Sequence, residues 1–230
     1  MSEALHFAED KLQIIALSFM AVVYIVKIRW ILSHKAGKER QAPSSGGKEV
    51  PSVAIIYSLA NIAMPWTMES TRKNPLFYAQ FVLFHLGVTA AIILSFIIPY
   101  GAGLLESNLI VLIFQIFTGA AFVVGILRII RRLTNKYIKA ISTPDDYFSL
   151  ILLTVWFFFA FWSVPNNYQQ GETILLTYFW LTAFFLVYVP FSKISHYLYY
   201  PFTRYYLGKT MGRRGVYPMK KPVKPQTATN

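Results

Sequence analysis

Four stretches of this chain stay apolar for long enough to cross a bilayer. Spanning roughly 30 Å of hydrocarbon takes about 20 helical residues at ~1.5 Å each. Leu12–Leu32, Leu76–Tyr100, Leu109–Ile130 and Glu172–Phe191 all have that length. A fifth, Tyr147–Val164, is shorter but almost entirely apolar and aromatic. Composition agrees. Of 230 residues, 55% are apolar and 14% charged, whereas a soluble domain carries about 25% charged residues. This excludes a cytosolic enzyme, a disordered chain and a coiled coil. The fold class is therefore all-α integral membrane, a bundle of five transmembrane helices. The chain has no cysteine, so disulfides, thiolate metal sites and an iron–sulfur cluster of its own are excluded.

The remaining segments read as connections. Residues 1–33 form an outer N-terminus and first span, 34–75 an inner loop, 76–208 a membrane core of four helices, and 209–230 a basic tail. Lys27 and Arg29 near the end of the first span can snorkel to the interface. Gln41–Ser52, with Ser-Ser-Gly-Gly, reads as a flexible linker. Val53–Trp66 is mildly apolar but interrupted by Ser58, Asn61 and Pro65, which predicts an interfacial helix rather than a sixth span. Asn74-Pro75 predicts an N-cap followed by proline at the first helical position. From about Met211 the tail is rich in Lys, Arg and Pro, and reads as mobile.

Charge placement sets the expected topology. With five spans, the loops on one side carry Glu3, Glu9, Asp10, Glu106 and Glu172, with Lys11 the one borderline cation. The other side takes the remaining 21 of the 22 Lys and Arg. The positive-inside rule then puts the N-terminus outside and the C-terminus inside, and a sixth span would break the alternation. The first ten residues lack a basic region, so no cleaved signal peptide is expected. The net charge of +12 follows from topology and attraction to anionic lipid, and nucleic acid is not an expected partner.

Ionisable residues inside a membrane are costly, which makes them candidates for function. Of the four histidines, His6 and His34 fall outside the spans and read as surface residues. His85 lies about ten residues into the second span, in Phe84-His85-Leu86-Gly87, and His196 follows the fifth, in Pro190-Phe191-Ser192-Lys193-Ile194-Ser195-His196. Either can simply brace a neighbouring helix. Two imidazoles from two helices can also provide axial ligation of a heme iron. Ten residues from Pro75 put His85 ~15 Å from the inner end of its span, and five before Pro201 put His196 ~8 Å from an expected helix end on the same side. Gly87, Gly119 and Gly125 would allow close approach of helices or of a macrocycle. No phosphate loop, nucleophile elbow, zinc-protease pattern, intramembrane carboxylate pair or internal repeat is found.

From Phe84 onward, and over roughly Phe77–Tyr206 in all, the chain resembles the gamma subunit of respiratory nitrate reductase, a membrane cytochrome b. It is also similar to the related cytochrome b subunits of heterodisulfide reductases, some hydrogenases and sulfate-reducer redox complexes. The likeness rests on Pro190-Phe191-Ser192-Lys193 leading to His196 and Pro201, on Phe84-His85-Leu86-Gly87, and on Gly119–Asp146 with Arg128, Arg131 and Arg132. The resemblance implies heme b, a quinone as electron donor or acceptor, residence in the plasma membrane and redox subunits carrying iron–sulfur, molybdenum or nickel on the inner face. Its diheme members carry two more ligand histidines, and those positions fall here on Ser95 and Tyr178. One heme, held by His85 and His196, is therefore expected. Tyr178 and His196, eighteen residues apart, would share a face of one helix ~27 Å apart. Trp156-Phe157-Phe158-Phe159 with Phe161 and Trp162 would either fill the vacated volume or face lipid. Arg72, Lys73, Arg131, Arg132 and Lys193 would lie where heme propionates emerge, or serve only as topology signals.

Overall fold

A computed structural model describes residues 1–35, 37 and 51–218. Among them all regular structure is helical and, apart from short 3₁₀ segments, runs in the order α1 (Glu3–His6), a π-turn (Phe7–Lys11), α2 (Leu12–Ser33), α3 (Pro51–Ala60), α4 (Glu69–Lys73), α5 (Pro75–Tyr100), α6 (Asn108–Thr134), α7 (Lys136–Ile141), α8 (Pro144–Ser163), α9 (Thr173–Tyr188) and α10 (His196–Arg213). Two compact units result. The first holds Met1–Ile31 and Leu76–Ser195, the second Leu32–Pro75 and His196–Asn230.

Five helices are long and apolar enough to cross a membrane: Glu3–Ser33, Pro75–Tyr100, Asn108–Thr134, Pro144–Ser163 and Thr173–Phe191. All five expected spans are present. Their apolar surface is mostly not buried by protein. Only 6% of the apolar window of the first helix is covered, and Ile14, Val22, Ile25 and Val26 stand open. Such a continuous apolar surface needs hydrocarbon around it. The protein is a multi-pass membrane protein.

Local chemistry explains the helix ends. Pro75 opens α5, where its missing N–H costs nothing. Thr143 precedes α8, and its N–H and hydroxyl both donate to Asp146, at 2.8 Å each. The Asn135 side chain accepts from Tyr137 and Ile138 N–H and so starts α7. Arg131 and Arg132 fall in the last turn of α6, where cations complement the helix dipole.

The first unit is tied together at both ends. At the acidic end, the Ser2 N–H donates to Glu172 at 2.6 Å and the Tyr100 hydroxyl donates to Asp10 at 2.8 Å. At the basic end, Lys193 Nζ meets Asp146 at 2.9 Å, and the Tyr188 hydroxyl donates to Asp145. Along the middle, Gly87 of α5 lies against Ala121 of α6, and Gly125 of α6 against Thr154 of α8.

The N-terminus departs from the expected outer tail. Helix begins at Glu3 and runs on through the π-turn, with Leu5, Ala8 and Glu9 buried. Leu5, Ala8 and Leu12 form one apolar face, and the Gln13 amide donates to the Ala8 and Phe179 carbonyls at 2.9 and 2.8 Å.

In the second unit α3 packs along α10. Gly208 lies where a Cβ would come within 2.6 Å of the Ile55 backbone, and the Tyr200 hydroxyl donates to the Leu59 carbonyl at 2.9 Å. At ten residues, α3 is too short to span, in keeping with the reading of Val53–Trp66. Most of the expected linker lies outside the described residues; its last two positions, Pro51 and Ser52, open α3. The basic tail lies outside them beyond residue 218, and α10 carries helix through position 209 to Arg213.

Candidate functional site

His85 sits in α5 between buried Phe84 and buried Gly87, with its own ring exposed. Its Nδ1 is 2.8 Å from the carbonyl oxygen of Phe81, one turn earlier. A carbonyl can only accept, so Nδ1 carries the proton, and in the neutral ring Nε2 holds the lone pair. The Phe81 ring packs on the imidazole at 4.2 Å between centroids and 47° between planes. Metal-ligating histidines are held in this way, with the non-ligating N–H donated to a carbonyl that fixes tautomer and orientation. The donor chemistry of His85 fits an axial heme ligand.

His196 stands elsewhere than expected along its helix. The regular helix α9 ends at Tyr188, Ser192 is extended (φ −99°, ψ 172°), and His196 is the first residue of α10. Five unbroken turns from Tyr178 to His196 do not exist. The cause is local. Pro190 offers no N–H to continue the ladder, the Lys27 ammonium takes its carbonyl, and the Ser192 Oγ accepts from the Ile194 N–H at 3.2 Å. Nor does helix end at Pro201, which lies inside α10. His85 belongs to the first unit and His196 to the second, and both rings are exposed.

Ser95 and Tyr178 meet within the first unit. The fully buried Tyr178 hydroxyl donates to the Ala91 carbonyl at 2.5 Å, one turn before buried Ser95. Trp156 stacks on Tyr178 at 6.3 Å and 12°, and its Nε1–H donates to Thr182 at 2.9 Å. Phe157 and Phe179 are completely buried beside them. The residues present do not fit a second heme here: rings fill the space, serine ligates iron poorly, and the bulky Tyr178 has its hydroxyl committed to the Ala91 carbonyl. The aromatic run therefore divides. Trp156 and Phe157 fill the interior, while Phe158 and Trp162 are exposed at 41% and 52%.

The three glycines serve helix contacts. A Cβ on Gly87 would fall 2.1 Å from that of Ala121, one on Gly119 3.2 Å from the Phe161 ring, and one on Gly125 2.4 Å from the Thr154 hydroxyl. Of the expected propionate partners, Lys193 and Arg132 already approach Asp146, at 2.9 and 3.9 Å. Lys73 pairs with Glu69 at 2.6 Å, and Arg72 donates to the Trp66 carbonyl. Arg131 lies over the Phe77 ring at 4.1 Å. Sequence reasoning counted Arg128 only among the basic residues of the resemblance and of the inner side; the structure shows it half-buried in α6 with its guanidinium 4.8 Å from the Phe84 ring centre. Its signal was an arginine placed six residues inside a transmembrane helix. His6 and His34 are exposed, as expected. No cluster of three or more His, Cys, Asp or Glu able to hold a metal occurs among the described residues.

Compared with protein-family models, curated proteins and solved structures, the chain matches none.

Proposed function

We propose that this chain is the membrane cytochrome b subunit of a respiratory redox complex in the plasma membrane, with one heme b held by His85 and His196. The observation that supports the reading is the His85 Nδ1–H bond to Phe81, which in the neutral ring would leave Nε2 to ligate the iron. When bound, the heme supplies one-electron transfer between a quinone and a redox partner on the inner face. The chain's own contribution is to orient the imidazoles, anchor the complex and keep the surrounding bundle closed. Iron–sulfur, molybdenum or nickel centres belong to that partner. The acidic and basic ends of the first unit favour an outer N-terminus and an inner C-terminus. A second reading, a heme-free anchor subunit, draws on the glycine contacts and filled interior, which let the first unit close without a cofactor.

The test is a reduced-minus-oxidised spectrum of the purified chain and of H85A and H196A. Wild type should carry about one low-spin heme per chain with both axial positions taken by histidine. Each variant should insert normally and lose most of the heme. Full retention in both variants sinks the ligand assignment, and a wild type without heme leaves the anchor reading. A C-terminal reporter should read as cytoplasmic; an external reading overturns the topology.

A further inference from the structure

We propose that Arg128 and Arg131 form a binding site for the phosphate of an anionic membrane phospholipid, at the seam between α5 and α6. The two residues are three apart on α6 and so share one face on successive turns. Each guanidinium lies over a ring of α5, Arg128 on Phe84 at 4.8 Å and Arg131 on Phe77 at 4.1 Å. Among the described residues neither forms an ion pair, whereas neighbouring Arg132 reaches Asp146. Arg128 is half-buried within the membrane-spanning helix.

A half-buried guanidinium within the spanning helix, as at Arg128, is costly until an anion arrives, and Arg131 one turn on adds a second cation beside it. Stacked guanidiniums keep their edges available for oxygen, and their fork suits a phosphate. Below them the surface is apolar: Val123, Leu127 and Ile130 of α6 are exposed at 54%, 48% and 51%, and Leu83 of α5 at 36%. A charged pair above an open apolar surface matches an amphiphile, with headgroup on the arginines and acyl chain along Leu127. The pair neighbours the candidate heme ligand, because the Phe84 ring under Arg128 stands 6.3 Å from the His85 ring; lipid and heme are therefore read separately in the test.

The experiment uses the full-length protein, delipidated in mild detergent and offered phosphatidylglycerol or phosphatidylcholine in mixed micelles. Bound lipid is counted by native mass spectrometry, and thermal midpoints are recorded alongside. Wild type should retain phosphatidylglycerol with about a tenfold preference, and Arg131→Gln should remove most of that preference. Arg131 is exposed, so this variant tests the site even where Arg128→Gln fails to fold. Lys136→Gln and Lys139→Gln remove exposed charges from the same end and should retain the lipid. Equal loss in both sets, or no loss in Arg131→Gln, overturns the site in favour of diffuse attraction. A thermal gain from inorganic phosphate alone equal to that from lipid overturns the lipid assignment. Heme loss from Arg131→Gln with lipid retained would reassign the pair to the cofactor.

Discussion

Gly87→Ala tests the seam on which α5 and α6 are built. The new Cβ would lie 2.1 Å from the Ala121 Cβ and 2.9 Å from the Phe117 carbonyl oxygen. Carbon atoms settle at about 3.5–4.0 Å, so the two helices must separate by about 1.4 Å or tilt. Neither obstacle can swing aside, because one is a Cβ fixed to its backbone and the other a helix carbonyl. Overpacking of this kind costs about 1–3 kcal/mol. Within a bilayer no hydrophobic force drives the helices back together, since their association rests on close packing. Two controls calibrate the result. At Gly125 the obstacle is the Thr154 side chain, with its hydroxyl at 2.4 Å. That side chain can change rotamer at the loss of its 2.7 Å bond to Leu150, so Gly125→Ala should cost about 1 kcal/mol. A Cβ at Gly103 meets nothing within 4 Å, and Gly103→Ala should stay within about 0.5 kcal/mol of wild type. Equilibrium unfolding in mixed micelles, followed by ellipticity, should rank the losses Gly87, Gly125, Gly103. Equal stability of G87A and G103A would refute the claim that these helices touch through Gly87.

Two further outcomes are expected. Trp156→Phe keeps the ring stack but removes the Nε1–H bond to Thr182, and should cost about 0.6–1.7 kcal/mol in the same assay; a cycle with Thr182→Val should give non-additive losses, and strict additivity would remove the bond from the account. The Ser2 hydroxyl, with the N-terminal ammonium beside it, holds the Glu172 carboxyl below its ordinary value of 4.5. A depressed carboxylate stabilises the fold fully above the unfolded value, and that contribution is lost as pH falls through the folded one. Hydrogen exchange over residues 1–12 should therefore quicken as pH falls below about 4.5, after correction for intrinsic rates. Glu172→Gln should abolish that step, and an identical step in the variant would assign it to another group.

Length and apolarity made the five helices legible, because those two properties alone decide whether a segment can cross hydrocarbon. They could not tell inside from outside. Lipid and protein interior are both apolar, so rings of the same run point both ways: Phe157 is fully buried and Phe158 is 41% exposed. The interior is marked instead by small and hydroxylated residues. Ser149, Thr154 and Ser163 of α8 are buried, as are Ser95 and Thr182; Thr154 meets Gly125 of α6, Ser149 the Tyr188 hydroxyl and Thr182 the Trp156 indole. The break before His196 was hidden for another reason. Pro190 was visible, but Lys27, the partner that takes its carbonyl, lies 163 residues away. The helical N-terminus was hidden by its carboxylates, which suggested solvent where Leu5 and Ala8 supply a packing face.

The resemblance puts Ser95 and Tyr178 at two vacated ligand positions, and in the fold these two positions come together. The Tyr178 hydroxyl ends on the carbonyl of Ala91, so these positions of α5 and α9 share one interior space. Tyrosine brings both the volume to fill that space and a hydroxyl that must find an acceptor once buried. Trp156 covers its face, and Thr182 links the two by accepting from the indole and donating to the Tyr178 carbonyl at 2.7 Å. The Tyr178 hydroxyl and the Trp156 indole are each satisfied by a neighbouring helix, which sets the register of α5, α8 and α9 against one another. His85 differs in kind: its ring is exposed, with Nδ1–H donated to the Phe81 carbonyl. The first unit thus closes its interior with its own side chains, while the His85 imidazole stands at its surface.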